Sequence, residues 1–165
     1  MEEVVRVIDR LHGGEPLVVG AVVRGGTVTV VRGYAGSIAD PHDPGEQVKE
    51  GSHVIDVCVD YVGRDGTADM EEIASRFATQ STVPLMIDST EPDVVETALK
   101  WVGGKPLLNS VNLEDGDAPG TRLDRFLTLA RDYGAAVVAT CIDEQGQART
   151  ADWKVRAARA IHDIA

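Results

Sequence analysis

An α/β fold built on a parallel sheet is expected from three features of this chain. From Gln47 onward, apolar runs of strand length recur at residues 54–59, 83–87, 106–111 and 135–142. Between and after them lie segments whose apolar residues repeat with helical spacing. The connections are short, and a β-α-β-α order with short loops returns each strand to the sheet in the same direction. The first 46 residues do not share this rhythm. The expected organisation is therefore an irregular N-terminal segment over 1–46 and a β/α domain over 47–165.

Within the N-terminal segment, residues 2–11 suit a helix and 16–20 a strand. Arg24-Gly25-Gly26-Thr27 suits the turn of a hairpin between Val22-Val23 and residues 28–31. Asp40-Pro41 and Asp43-Pro44 mark 38–45 as an irregular loop. In the β/α domain, Val94, Val95, Ala98, Leu99 and Val102 fall on one face of a helix over 91–102, which Gly103-Gly104 ends. Leu123, Phe126, Leu127 and Ala130 follow the same rule over 121–133, with Gly134 at the stop. Residues 69–78 and 151–164 repeat less cleanly but read as helices too.

Composition narrows the function. The chain has 165 residues, 43% hydrophobic and 26% charged, the balance of a soluble globular domain. No run approaches the roughly 18 to 20 apolar residues of a membrane helix. Met1-Glu2-Glu3 lacks the charged-then-apolar order of a signal peptide. A cytoplasmic protein with no membrane association is expected. Its net charge is −11 and no dense Lys/Arg run is present, so nucleic acid is not an expected partner. Cys58 and Cys141 lie far apart without CxxC spacing, and are expected as buried free thiols in a reducing compartment.

The chemistry lies in where polar groups fall along the strands, whose side chains alternate faces. Ile55, Val57 and Val59 share one face, while Asp56, Cys58 and Asp60 share the other. Met86 and Asp88 stand opposite Leu85 and Ile87. Asn109 lies between Leu107 and Val111, and Asp143 follows Ala139 and Cys141 on its own face. Each strand thus offers a carboxylate or amide near its C-terminal end, the rim where parallel α/β folds bind ligands. The plainer alternatives are an N-cap for Asp88 and loop carboxylates in water for Asp60 and Asp143. Asp56 and Asn109 weigh most, because a polar group inside an apolar run needs a partner. Carboxylates accept and an amide both donates and accepts, which suits the N–H edge of a planar heterocycle such as an aminopyrimidinone. The same set suits Mg2+, and spacing alone leaves the two open. Glu114-Asp115-Gly116-Asp117 lacks the calcium-loop pattern and reads as a solvated loop. His53 reads as a packed or surface residue, and Trp101 and Trp153 as helix-face packing.

Longer motifs carry a family resemblance. The stretch Gln47-Val48-Lys49-Glu50-Gly51-Ser52-His53-Val54-Ile55-Asp56-Val57-Cys58-Val59-Asp60-Tyr61-Val62-Gly63-Arg64-Asp65-Gly66 resembles the second strand and loop of the pterin-binding domain of bacterial cobalamin-dependent methionine synthases. Met86-Ile87-Asp88-Ser89-Thr90 and Asn109-Ser110-Val111-Asn112 resemble the next two strands. Gly134-Ala135-Ala136-Val137-Val138 with Ile142-Asp143-Glu144-Gln145-Gly146-Gln147-Ala148 resembles the fifth. The resemblance implies a (β/α)8 TIM barrel, here incomplete at about strands 1 to 5 of 8, and so a fragment. It implies methyltetrahydrofolate as the substrate, with Asp88, Asn109 and Asp143 on the pterin ring, Asp56 and Asp60 on the adjoining floor, and Asp88 and Asp143 as the catalytic carboxylates. The family moves the N5 methyl to cob(I)alamin, so the implied partners are a separate cobalamin-binding module and a homocysteine-binding module. No metal is expected on this chain.

Where the family's opening strand carries Glu-Arg-x-Asn, this chain has Ala21-Val22-Val23-Arg24 after Pro16-Leu17-Val18-Val19-Gly20. Residues 21–46 are accordingly expected to pack poorly on the β/α body. Open sheet edges imply self-association into a homo-oligomer. Two alternatives remain. One is a dihydropteroate synthase-like pterin enzyme, against which Val57-Cys58-Val59-Asp60 stands where a Gly-Gly-Glu-Ser-type loop belongs. The other is an inactive truncated remnant.

Overall fold

A computed structural model describes residues 17–24, 27–34, 53–60 and 62–165 of the chain. In the N-terminal part, β1 (Leu17–Arg24) and β2 (Thr27–Tyr34) pair antiparallel from Leu17 against Tyr34 to Arg24 against Thr27. The expected hairpin is present, with longer strands than the turn alone implied, because β-branched residues run through both segments. It forms a two-stranded sheet of its own, separate from the β/α sheet. The helix expected over 2–11 and the loop expected over 38–45 lie outside the described residues.

The second sheet holds β3 (Ile55–Cys58), β4 (Leu85–Asp88), β5 (Leu107–Leu113), β6 (Ala136–Asp143) and β7 (Gly146–Gln147) in that spatial order. The first four are parallel, each laid beside its predecessor. Only the short β7 turns back antiparallel, against Ile142 and Asp143. Four helices follow the four parallel strands: α1 (Gly66–Gln80), α2 (Pro92–Trp101), α3 (Arg122–Tyr133) and α4 (Ala151–Ile164). Parallel strands added in chain order, with a helix after each, are the arc of a (β/α)8 barrel.

Local chemistry sets the helix ends. Asp65 caps α1 by accepting from Ala68 N at 3.1 Å, so the helix starts three residues before the periodic stretch that announced it. Gly66 allows a close approach there: a Cβ would sit 3.2 Å from Cγ2 of Val94 on α2, which would have to give way. Pro92 opens α2, where its missing N–H costs nothing. Thr121 and Thr150 cap α3 and α4 through Asp124 N and Trp153 N. Gly134 ends α3 in the left-handed region at φ 68°, a conformation a Cβ disfavours. Asp88 is not a helix cap; it is the last residue of β4.

One face of the sheet is sealed by the helices. Ile55, Val57, Ile87, Leu108 and Val111 are essentially buried against Met70, Val95, Leu123 and Phe126. The opposite face is half-open: Asp56, Cys58, Asp88 and Asn109 are all partly exposed. Every residue of β6 is partly exposed as well. Trp153 is half-buried as expected, but Trp101, the last residue of α2, is 45% exposed. Cys58 and Cys141 are free thiols, half-buried rather than fully buried, since each sits on a strand with an open side. Among the described residues no helix is long and apolar enough to cross a membrane.

The sealed face predicts where stability resides. Phe126→Ala should cost roughly 3 to 5 kcal/mol, the sum of lost transfer energy and a residual cavity. Val155→Ala, at a position 47% exposed, should stay within about 0.5 kcal/mol. Urea unfolding followed by circular dichroism measures both; equal effects would mean that the helices do not seal this face.

Candidate functional site

Strand pairing brings the polar residues of the open face into rows. Asp56 is level with Met86, Leu107 and Ala136, and Cys58 is level with Asp88, Asn109 and Val138. Because Ile55, Val57, Leu85, Ile87 and Leu108 belong to the helix-side core, their neighbours Asp56, Cys58, Met86, Asp88 and Asn109 face the other way. Asp88 and Asn109 are therefore side by side on adjacent strands, with Asp56 one strand over and one pleat below. Among the described residues, no other group hydrogen-bonds the Asp88 carboxylate or the Asn109 side-chain amide.

Asp60 and Asp143 are engaged differently. Asp60, just beyond β3, accepts from Ser89 Oγ at 2.8 and 3.0 Å and from Thr90 N at 2.9 Å. It staples the loop after β3 to the loop after β4, and is not simply a solvated loop carboxylate. Asp143 pairs with Leu113, beyond two register shifts in the β5–β6 ladder. Its Oδ2 accepts from Trp153 Nε1 at 2.5 Å and its Oδ1 from Gln145 N at 2.9 Å. Asp143 thus lies on the C-terminal side of the sheet, tied to the first turn of α4.

Burial and like charge act on the remaining carboxylates. Asp56 is pushed from 3.8 up to about 7, first by burial and then by the neighbouring Asp88. Its Oδ1 is buried without a hydrogen-bond partner. Asp88 is raised by burial and by Asp60, and the Cys58 thiol is raised chiefly by burial with smaller contributions from the three carboxylates. An orphaned buried acceptor beside a second unengaged carboxylate and an amide is a set that N–H donors would satisfy. The planar edge of an aminopyrimidinone presents such donors, two of them parallel. Among the described residues no group of three or more His, Cys, Asp or Glu is gathered as a metal cluster. Glu114 is exposed and pairs with Arg122 at 3.1 Å, as suits a solvated loop, and His53 is a surface residue.

Several contributors escaped the reading of the sequence. Ser89 is 3% exposed and orients Asp60; its place directly after Asp88 masked it as a helix-start residue. Ser110 and Thr140 approach at 3.3 Å across β5 and β6, and Thr140 also donates to Val111 O at 3.3 Å. These bonds bridge the register shift between Asn109 and Val111, which alternation alone does not reveal. Arg122 donates to Asn112 Oδ1 at 3.0 Å and holds the loop after β5.

Comparison with known proteins agrees with this architecture. Residues 43–164 match the family model described as pterin binding enzyme. The chain is 55% identical over 120 residues to a methionine synthase of Mycobacterium tuberculosis, a match covering 72% of this chain and 10% of that protein. It is 53% identical over 120 residues to a methionine synthase of Mycobacterium leprae, with the same coverage. The chain therefore spans about a tenth of the length of these relatives.

The orphaned carboxyl makes a pH-dependent prediction. Asp56 is more basic folded than unfolded, so below pH ~4 both states hold its proton and it contributes nothing. As pH rises from there to about 7 the unfolded chain ionises first, and stability falls. Asp56→Asn should therefore stabilise the chain at pH 8 relative to pH 4 by roughly 1 to 2 kcal/mol, a value discounted for partial solvent screening. Urea titrations of both proteins at both pH values read it; an equal difference at pH 4 and pH 8 would refute the assignment.

Proposed function

This chain belongs to the family of pterin-binding enzymes, and from that premise we propose that it grips methyltetrahydrofolate through Asp88 and Asn109 for methyl transfer to a corrinoid in cytoplasmic methionine synthesis. The observation that carries this reading is the pairing of Asp88 with Asn109, both unengaged by other groups of the described chain, above the orphaned Asp56. Asp88 would accept two parallel N–H bonds from the ring edge, and Asn109 would donate to its carbonyl or accept from a ring N–H. Asp56 would form the floor, its Oδ1 accepting a further N–H or its own proton donating to a ring nitrogen. Asp60 would hold the floor's outer edge through Ser89 and Thr90. Asp143, whose carboxylate also accepts from Trp153 Nε1 and Gln145 N, would meet the ring from the rim.

The chemistry asks for positive character at N5 before the methyl group leaves. Two carboxylates on one face place negative potential where that cation would form, and preorganised charge of this kind favours the transition state over the neutral ground state. The methyl acceptor in this reading is a cobalamin on a separate module, which supplies the nucleophile, with homocysteine on another. The similarity to methionine synthases favours methyl transfer over a dihydropteroate synthase-like reaction.

A polypeptide of these 165 residues should bind methyltetrahydrofolate weakly, because solvent reaches the open face and weakens each bond. Calorimetric titration should give a dissociation constant on the order of 0.1 mM. Asp88→Ala and Asn109→Ala should each weaken it about tenfold or more, the loss of one charge-assisted or bidentate contact. Asp143→Ala should change affinity less than either. Unchanged affinity in the first two variants would end this reading. The same polypeptide should transfer no methyl group to cob(I)alamin, since misplacement by even ~1 Å costs on the order of a hundredfold; turnover would show that the site is complete without further strands.

A further inference from the structure

On the reading that Asp88 and Asn109 bind the ring, we propose that Ser89 and Asp60 are positioning residues that act through them. Ser89 fixes the two ring-binding residues relative to each other. The charge of Asp60 sets how far the pH can fall before Asp88 loses its grip.

Ser89 follows Asp88 directly, is 3% exposed, and bonds to three separate parts of the chain. Its backbone N–H donates to Asn109 O at 3.3 Å, which carries the β4–β5 ladder one residue past the pair of Asp88 with Asn109. Its Oγ donates to the Asp60 carboxylate, at 2.8 Å from one oxygen and 3.0 Å from the other. The same Oγ accepts from Glu91 N at 3.0 Å, where α2 begins. Thr90 N adds a second bond to Asp60 at 2.9 Å. A helix-start role accounts for the bond from Glu91 and for neither of the others. Asp88 and Asn109 are aimed by their backbones, and Ser89 clamps both: it is the peptide neighbour of one and the hydrogen-bond partner of the other. A network closed to water holds its geometry firmly, because any group that loses its partner stays desolvated.

The same staple brings a like charge to Asp88. Burial first, and then Asp60, raise the Asp88 carboxyl above its ordinary range. Asp88 must be ionised to accept two N–H bonds, and a like charge disfavours that form. The grip is therefore present above the raised value and lost as pH falls through it, and Asp60 helps decide where. Asp56 and Cys58 on β3 face the same row. The Asp56 carboxyl is pushed up to about 7 and the Cys58 thiol is raised too, so neither adds charge on the acid side. The neighbour on β5 is the uncharged Asn109, and the helices pack on the opposite face of the sheet. Position and charge are thus two separable contributions of one hydrogen-bonded unit.

Calorimetric titration of the full 165-residue chain with methyltetrahydrofolate, from pH 8 downward, reads both. Ser89→Ala should weaken binding roughly tenfold at pH 8 and leave the pH at which affinity is half lost where it was. Asp60→Asn keeps an oxygen for Ser89 Oγ but removes the charge, so it should move that pH downward. A ligand-free measurement stands beside it: the Asp88 carboxyl carbon, assigned by its loss in Asp88→Asn, followed by carbon NMR against pH. It should titrate at lower pH in Asp60→Asn than in the parent chain. Circular dichroism checks that the variants fold; should Ser89→Ala misfold, Asp60→Asn, at an exposed position, carries the test. If Asp88→Ala and Asn109→Ala leave affinity unchanged, the ring-binding reading falls and this proposal with it. If those two weaken binding while folded Ser89→Ala binds as tightly as the parent, or Asp88 titrates alike with and without the charge of Asp60, the proposal is overturned and the ring-binding reading stands.

Discussion

Burial of one face of a parallel sheet beneath four helices is the constraint on which the rest of this molecule depends. Ile55, Val57, Ile87, Leu108 and Val111 must all reach the helices, and Phe126, Met70 and Val95 fill the space they leave. Because side chains alternate strictly along a strand, satisfying that face turns Asp56, Asp88 and Asn109 to the other. A slip of one residue in any strand would drive a carboxylate into the core and expose an aliphatic side chain, so packing enforces the register of the site. The apolar seam thus positions polar residues that it never touches.

The site itself opposes stability. Two carboxylates held near each other and away from water resist ionisation, and the buried oxygen of Asp56 has no partner to offset its desolvation. The neighbouring acids are relieved by local donors: Asp60 by Ser89 and Thr90, Asp143 by Trp153 and the turn at Gln145. Unmet hydrogen-bonding capacity is concentrated on β3, β4 and β5, where a planar ring with N–H donors would be complementary.

Openness is the other consequence of the architecture. Among the described residues, the inner face of the arc is only half-shielded and every residue of β6 is partly exposed. A binding site for a flat heterocycle gains from exclusion of water, because charge-assisted bonds strengthen as the local dielectric falls.

Much of this was legible in the chain itself. The 2.0 and 3.6 periodicities located four parallel strands and their four helices, since the interval between apolar residues depends only on backbone geometry. Gly134 marked a helix end for a local reason of the same kind. The outward-facing acids of β3 and β4 and the amide of β5 were also readable, because alternation assigns a face without knowledge of neighbours. What only the tertiary structure decided was which of these groups meet. Asp88 and Asn109 are adjacent because β4 and β5 pair with one particular register. Asp143 looked equivalent along the sequence, yet its level on β6 depends on register shifts against β5, and its carboxylate on the approach of Trp153 from α4. Ser89 gained its role from Asp60, 29 residues away. Periodicity is a property of one segment, whereas register and partnership belong to pairs of segments, and no single stretch of sequence contains them.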